Sequence, residues 1–429
     1  MSRAAVGAAT RPPLFSGWYV IAVLFLGGFA VYGGGLYSFI LFVTPLSDEF
    51  HWSRAATGGL VSAFWLSAPL SLFAEPLIRR FGVRRLAAGG IVIEACCLML
   101  LVTASQLWQM YLLRALAGLG KVLYAITMPV IVSKWFSRRF GLAIAVMYSG
   151  WHIGGLVLAP VTERLIRAIG WRGASEVLGL GLLVVALVPT LWALRTASAR
   201  ELGLGLDGDA LQPETPLPAD TRVAQAAASE HYGPAVRKLL AKPLFQIIII
   251  ATVAYFVTYS GVLAHQAAVV EEAGISSRTA SFVLGATAGF AALGAVLVGT
   301  LIDRWSLIYT TLVQYALMGA GVLCLVLITV TPSLPLLATH ALCFGLAVGG
   351  TEVYWITVLK RRVGEAIFAR SWGIWYFLEL AVLVVAPIGI GMLYDFTGSY
   401  ATALLCEFAL LLVPLSLSVY LALRADVRV

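Results

Sequence analysis

Lys121 is a cation in the middle of an apolar stretch, residues 107–132, in a chain that keeps most of its cations at the ends of such stretches. A lysine at bilayer depth is costly, and such residues usually face a partner or a watery cavity. Tyr124 and Met128 follow at helical spacing and share its face. We therefore predict that Lys121 and these two neighbours meet a carboxylate substrate. The alternative is a lysine paired with a structural carboxylate.

Three further residues inside apolar stretches have side chains that suit proton transfer. Glu352 and Glu379 are carboxyl groups at membrane depth, and His152 belongs to the residue type that titrates near neutral pH. We predict that one or more of them carries a coupled proton. The alternatives are static ion pairs with nearby basic residues for the glutamates, and hydrogen-bonded packing for the histidine.

The composition indicates a membrane protein. Of the 429 residues, 60% are hydrophobic and only 12% are charged, whereas soluble domains are about 45–50% apolar and about 25% charged. The net charge of +8 does not indicate nucleic-acid binding, because the basic residues cluster at the ends of apolar runs. The five cysteines show no metal-ligand spacing, and no nucleotide-binding loop or nucleophile motif is present. We expect neither an enzyme nor a bound metal or cofactor.

Twelve apolar runs are each long enough to cross a bilayer as a helix. Their continuous rather than alternating pattern favours helices over barrel strands. The predicted spans are 18–42, 57–77, 86–104, 107–132, 141–161, 174–194, 244–266, 280–302, 308–330, 335–359, 371–393 and 400–423. We therefore predict an all-α membrane protein made of two six-helix bundles, 1–195 and 243–429, joined by a polar cytoplasmic linker, 196–242.

The distribution of basic residues predicts the orientation of the chain. Most of the 29 lysines and arginines fall on the side that holds both termini and the linker, and basic loops stay in the cytoplasm. The first 14 residues are polar and small, and the apolar run after them is too long for a cleaved signal. We expect a multi-pass protein of the inner (plasma) membrane with both termini in the cytoplasm.

Two loops at matching places in the halves carry a related pattern. The loop after the eighth run contains Gly299, Leu301, Asp303 and Arg304. In the loop after the second run, Glu75 and Arg79 replace the glycine and the aspartate, and Arg84 and Arg85 follow one place late. Together with Arg114 in the fourth run, this pattern resembles the loop signature and the arginine motif of the major facilitator superfamily.

Several shorter strings resemble one branch of that superfamily, the monocarboxylate transporter-like family in its bacterial form. They are Gly17-Trp18-Tyr19-Val20, Tyr32-Gly33-Gly34-Gly35, Arg138-Arg139-Phe140-Gly141, Glu201-Leu202-Gly203-Leu204 and Asp395-Phe396-Thr397-Gly398. The resemblance implies the major facilitator fold and proton-linked transport of small monocarboxylates by a monomer through alternating access. The chain departs from relatives that bind anions with a basic residue in the first or eighth helix, since neither run has one here.

The same resemblance implies roles for more residues. The first, fourth, seventh and tenth helices line the transport pathway in this superfamily. Candidate substrate contacts on them are Tyr32, Tyr255, Tyr259 and Trp355. Candidate gating residues are Arg114, Asp303, Arg304, Arg84 and Arg85. The alternative for Arg114 is a packing arginine bonded to backbone carbonyls, and we interpret Glu94 and Glu407, on peripheral helices, as structural.

The predicted function is secondary active transport of a small organic monocarboxylate, with a proton, across the inner membrane. The alternative is an exporter of drugs or lipophilic metabolites driven by proton antiport, which the many aromatic residues would suit. A non-transporting membrane sensor is a third reading. It would need a structured partner domain, for which the linker offers little room.

Overall fold

A computed structural model describes residues 15–52, 54–195, 198–209, 232–365 and 367–423. The predicted cytoplasmic ends of the chain and the middle of the predicted linker lie outside these residues. Throughout the described ranges the chain is built from helices and their connections, without a β-strand.

The helices follow one another with short connections. Those of the first half are α1 (Ser16–Ala30), α2 (Val43–Phe50), α3 (Arg54–Ala63), α4 (Ala74–Leu100), α5 (Leu107–Ser133), α6 (Phe140–Gly181) and α7 (Val188–Ala193). Those of the second half are α8 (Tyr232–Leu240), α9 (Pro243–Glu272), α10 (Ser277–Arg304), α11 (Leu307–Val330), α12 (Leu334–Val363), α13 (Phe368–Thr397), α14 (Tyr400–Leu410) and α15 (Leu412–Leu423). Between α1 and α2 the chain forms a π-helical turn, Val31–Tyr37, which we call the π segment.

Helix ends follow local sequence signals. The α5 helix begins with a capping box in which Gln106 and Gln109 bond each other's backbone. Pro243 stands in the first turn of α9 and Pro335 in that of α12, where a missing N–H costs nothing. The α13 helix ends at Gly398, whose φ of 65° suits a residue without a side chain.

Ten helical segments of the described chain are long and apolar enough to cross a membrane. Two of them, Gly59–Thr103 and Phe140–Ala193, have 45 and 54 residues, which as straight helices would be about twice as long as a bilayer is thick. Each is interrupted by a glycine with positive φ, Gly82 at 76° and Gly170 at 73°. The spans merge at these two places, so the count of twelve stays a prediction.

Glycines let helices approach closely within each half. A side chain added at Gly90 of α4 would lie 2.4 Å from the carbonyl oxygen of Gly120 in α5. In the second half, a side chain at Gly349 of α12 would collide with the backbone of Ala291 in α10. Such contacts between small residues are the common way in which helices pack in lipid.

The two halves contact each other at the end of the molecule that carries Arg79, Arg138, Lys360, Arg361 and Arg370, which we call the basic end. There α6 of the first half packs on α10 of the second through Gly141 and Gly299. Gly373 of α13 packs on the backbone of Ser71, just before α4. The basic end is therefore closed in this structure.

Gly90→Ala is expected to destabilise the protein by about 1–3 kcal/mol, because the new methyl group must push α4 away from α5. The adjacent Gly89 has no atom within 4 Å of an added side chain. Gly89→Ala is therefore the matched control and should leave the melting temperature of the purified protein unchanged or slightly raised. Equal melting temperatures for the two variants would contradict this account of the α4–α5 contact.

Candidate functional site

Lys121 lies on α5 with only 1% of its surface exposed. Its Nζ atom faces three aromatic rings, at 4.3 Å from the centre of Trp65, 5.1 Å from Tyr376 and 5.2 Å from Tyr32. Within the described chain no carboxylate oxygen lies within the 4.0 Å limit of an ion pair with it. The charge is therefore stabilised by π faces, and the direct ion pair weighed from the sequence is not formed.

These rings come from both halves and contact each other. The hydroxyls of Tyr32, in the π segment, and Tyr376, on α13, are 3.1 Å apart. The Tyr32 ring also stacks on Trp151 of α6, with centroids 3.5 Å apart. Lys121 thus lies beneath a hydrogen bond that joins the first half to the second. We call Lys121, Tyr32, Trp65 and Tyr376 the lysine cage.

Two predicted proton carriers lie together next to the cage. The carboxyl groups of Glu352 on α12 and Glu379 on α13 lie within hydrogen-bond distance of each other, and both act electrostatically on Lys121. Glu379 is only 3% exposed. The Oε2 atom of each is buried without a hydrogen-bond partner among the described residues. The structure therefore brings one cation and two carboxyl groups together between the halves.

His152, the third predicted proton carrier, is half-buried on α6. It takes part in no hydrogen bond with the rest of the described chain. It follows Trp151, which packs on Tyr32, so it lies close in sequence to the lysine cage without contacting Lys121 directly.

The other predicted substrate contacts are mostly used in packing. The hydroxyl of Tyr124 donates to the carbonyl of Leu24 in α1 over 3.1 Å, and Met128 is fully buried beside the same helix. Tyr255 accepts a hydrogen bond from Gln314 and packs edge-on against Trp355 inside the second half.

Tyr259 is the exception among these aromatic residues. Its hydroxyl lies close enough to Glu352 and Glu379 to interact electrostatically with both. It also interacts with Tyr37 at the end of the π segment. Tyr259 therefore extends the site from the carboxyl pair of the second half toward the first half.

Arg114, predicted to act in gating, has the geometry of the packing alternative. It donates from Nη1 to the carbonyl of Gly35 at 3.0 Å and from Nε to that of Leu60 at 3.4 Å. Its guanidinium stacks on Phe39, 3.6 Å from the ring centre, and lies 4.5 Å from the ring centre of Phe64. It is buried in the first half.

Asp303 joins the halves at the basic end. Its carboxylate accepts hydrogen bonds from the backbone N–H groups of Gly141 and Leu142, at 2.9 and 2.7 Å, in the first turn of α6. A helix N-terminus is a natural site for a negative charge. Arg361 of α12 lies 3.6 Å from the same carboxylate. By contrast, the predicted gating residues Arg304, Arg84 and Arg85 are exposed on the surface.

A second ionic contact closes the basic end, and the sequence did not reveal it. Arg370 of α13 forms a two-pronged ion pair with Glu75 of α4, with N–O distances of 2.5 and 3.0 Å. Tyr232 of α8 covers this pair and donates to the Leu72 carbonyl. Burial, with the nearby charge of Glu75, raises the pKa of Tyr232 to about 12, so this hydroxyl remains a donor at neutral pH.

Sequence reasoning also missed Trp65 and Tyr376 of the lysine cage. Both lie on helices that the resemblance did not place along the pathway, and the chain has 12 tryptophans and 16 tyrosines from which to choose. Glu75 did leave a signal, because an acid stands where the loop signature has glycine. An acid on the basic side of the membrane predicts a basic partner.

The fold and the site define the class of protein. The family model of the Major Facilitator Superfamily matches residues 23–387, so the chain belongs to this superfamily of membrane transporters and is not an enzyme. The crystal structure of the E. coli fucose:proton symporter has the same fold, with a TM-score of 0.66 and 12% identity, covering 94% of this chain and 99% of that one. The predicted all-α major facilitator fold is confirmed.

The curated relatives are more specific. The chain is 28% identical to monocarboxylate transporter 12 of Rattus norvegicus, over 95% of this chain and 85% of that protein. It is 30% identical to monocarboxylate transporter 11 of Mus musculus, over 91% and 83%. The resemblance to monocarboxylate transporters inferred from the short sequence strings is therefore confirmed.

Glu75→Gln is expected to open the basic end, because it leaves the Arg370 charge without its carboxylate. Spin labels at Phe81 and Trp305, which are 43% and 53% exposed in matching loops of the two halves, would report the opening as a longer and broader distance distribution. Glu163→Gln, which removes an exposed ion pair within the first half, is the control. An unchanged distribution in Glu75→Gln would contradict the gating role.

Proposed function

We propose that this chain transports a small organic monocarboxylate together with a proton, as a monomer, by alternating access between the two sides of the inner membrane. The observation that carries this proposal is the lysine cage. A buried cation at the junction of the two halves is held by aromatic faces rather than by a carboxylate. It is therefore free to accept one.

The energetics favour such an exchange. A cation–π contact contributes about 0.5–2 kcal/mol, whereas a hydrogen-bonded ion pair of a lysine with a carboxylate is stronger in a site of low polarity. A substrate carboxylate would displace the rings from Nζ and pair with it. The displaced rings of Trp65 and Tyr376 would then pack on the apolar part of the substrate.

The same displacement would link binding to movement. Tyr32 and Tyr376 hold the halves together through their hydroxyls. A substrate that enters between Lys121 and these rings strains or breaks that bond. Because the bond joins the first half to the second, its loss would favour the rearrangement that alternating access requires.

The carboxyl pair of Glu352 and Glu379 is the proposed proton site. Two carboxyl groups in contact share a proton, since two negative charges so close would repel each other. The pair lies beside Lys121, so the arrival of a substrate anion changes the charge around it. Uptake of a proton by the pair would offset that added negative charge.

The distribution of basic residues supports the proposed orientation, in which the basic end faces the cytoplasm. The structure then corresponds to a state closed toward the cytoplasm by the Asp303 and Glu75 contacts. The names of the relatives support a monocarboxylate as the substrate class. The exporter alternative gains no specific support, because a caged cation suits an anion rather than a lipophilic cation.

Lys121→Ala is expected to lose at least tenfold in affinity for the substrate acid, or about 1.4 kcal/mol, because the carboxylate loses its counter-ion. A thermal-shift screen of the purified protein with small aliphatic acids, aromatic acids and cationic drugs measures this. The exposed Lys242 provides the control variant, Lys242→Ala. Equal stabilisation of both variants by acids would refute the anion site, and stabilisation by cationic drugs alone would favour the exporter.

Glu352→Gln and Glu379→Gln are expected to abolish accumulation driven by a pH gradient, since neither pair can release its proton as before. Exchange of substrate across the membrane without net proton movement should persist. Both are measured in proteoliposomes with the acid that the thermal-shift screen identifies, and the exposed Glu176→Gln serves as the control. Undiminished accumulation by both variants would show that the proton is carried elsewhere.

A further inference from the structure

A second buried carboxyl group lies in the first half, away from the carboxyl pair. Glu94 of α4 is fully buried, and neither of its carboxyl oxygens has a hydrogen-bond partner among the described residues. A buried carboxylate without donors is very costly, whereas the neutral acid avoids most of that cost. The sequence gave no reason to single out Glu94, because it lies on a helix that the family resemblance makes peripheral.

The charged groups that act on Glu94 both come from α5. They are Arg114 and Lys121, neither of which lies within ion-pair distance of it. Cys97, one turn further along α4, is the other titratable group nearby. Arg114 also has an unused donor, since its Nη2 atom is buried without an acceptor. A carboxyl group without a donor thus lies near a guanidinium without an acceptor.

The π segment holds these two groups apart. Arg114 directs Nη1 to the carbonyl oxygen of Gly35 at 3.0 Å. Glu94 packs against the same glycine from another side, so closely that a side chain at Gly35 would collide with its Oε1 atom. Gly35 therefore lies between the acid and the base, and π-helical turns of this kind frequently mark functional sites.

We propose that Glu94 is a second proton-binding site of the transport cycle, which switches between a neutral acid facing Gly35 and a carboxylate paired with Arg114. In the conformation seen here, Gly35 occupies Arg114 and Glu94 carries its proton. When the π segment moves, Arg114 loses the Gly35 carbonyl and turns to Glu94, which releases the proton. The inference rests on the proposed transport function, and it adds a proton site to the carboxyl pair.

The sign of the pH dependence follows from this switch. The conformation with the closed basic end binds the proton on Glu94, so acid favours closure and alkali favours opening. Spin labels at Phe81 and Trp305 report the closed fraction without any substrate, in a chain whose five native cysteines have been replaced. Between about pH 8 and about pH 5, the wild type should shift toward the short distance.

Glu94→Gln mimics the neutral acid and is expected to keep the short distance across that range, so that the pH-dependent change falls to less than half of the wild-type change. Glu407→Gln is the matched control, because Glu407 is a buried carboxyl in the second half with one unpartnered oxygen. It should keep the wild-type change. Glu94→Asp retains an ionisable group and should also keep a pH-dependent shift.

Three outcomes would overturn the proposal: a wild type that does not respond to pH, a full response in Glu94→Gln, or equal loss of the response in Glu94→Asp and Glu94→Gln. If Glu94→Gln does not fold, Arg114→Gln tests the same pair and should likewise lose most of the response. The measurement needs no substrate. A failure of Lys121 to bind acids would therefore refute the proposed function while leaving the test of Glu94 intact.

Discussion

The cost of burying charge in an apolar interior shapes this protein more than any other constraint. Each buried charge has its own solution. Lys121 is held by aromatic faces, Arg114 by backbone carbonyls and two rings, and Glu352 and Glu379 by each other. None of these solutions is a closed ion pair with all bonds satisfied. Each therefore leaves a group that a substrate or a proton can engage, which is what a carrier needs and a purely structural core avoids.

The contacts at the basic end differ in kind from those at the lysine cage. Asp303 and Glu75 meet full donors, the N-terminus of α6 and the guanidinium of Arg370. These bonds lie near the end of the molecule, where water can replace them during opening. The lysine cage is dry and aromatic, so its rearrangement needs a ligand that supplies charge. This division assigns gating to the ends of helices and selection to their middle.

The sequence predicted the fold class and the family because both depend on features that are local and repeated. Runs of apolar residues define helices, and short strings recur at fixed helices. It also identified Lys121, Glu352 and Glu379, since charges in apolar runs are rare and conspicuous. Trp65 and Tyr376 could not be selected in this way. Their approach to Lys121 depends on how the two halves are rotated against each other, and aromatic residues are too common in this chain to signal it.

Glu94 shows the opposite limit of sequence reasoning. Its position on the third predicted span suggested a structural role, whereas its surroundings depend on the π segment. That turn needs one extra residue per helical turn, which no pattern of apolar residues indicates. Gly33, Gly34 and Gly35 hinted at close packing, but not at which neighbours would share the space.

The hydrogen bond between Tyr32 and Tyr376 has an evolutionary consequence. The rings that would touch the substrate are also the rings that hold the two halves in register. A mutation that widens the range of accepted acids would also change how fast the carrier turns over. Diversification of this site should therefore proceed through paired replacements on the π segment and α13, and single replacements should trade selectivity against speed.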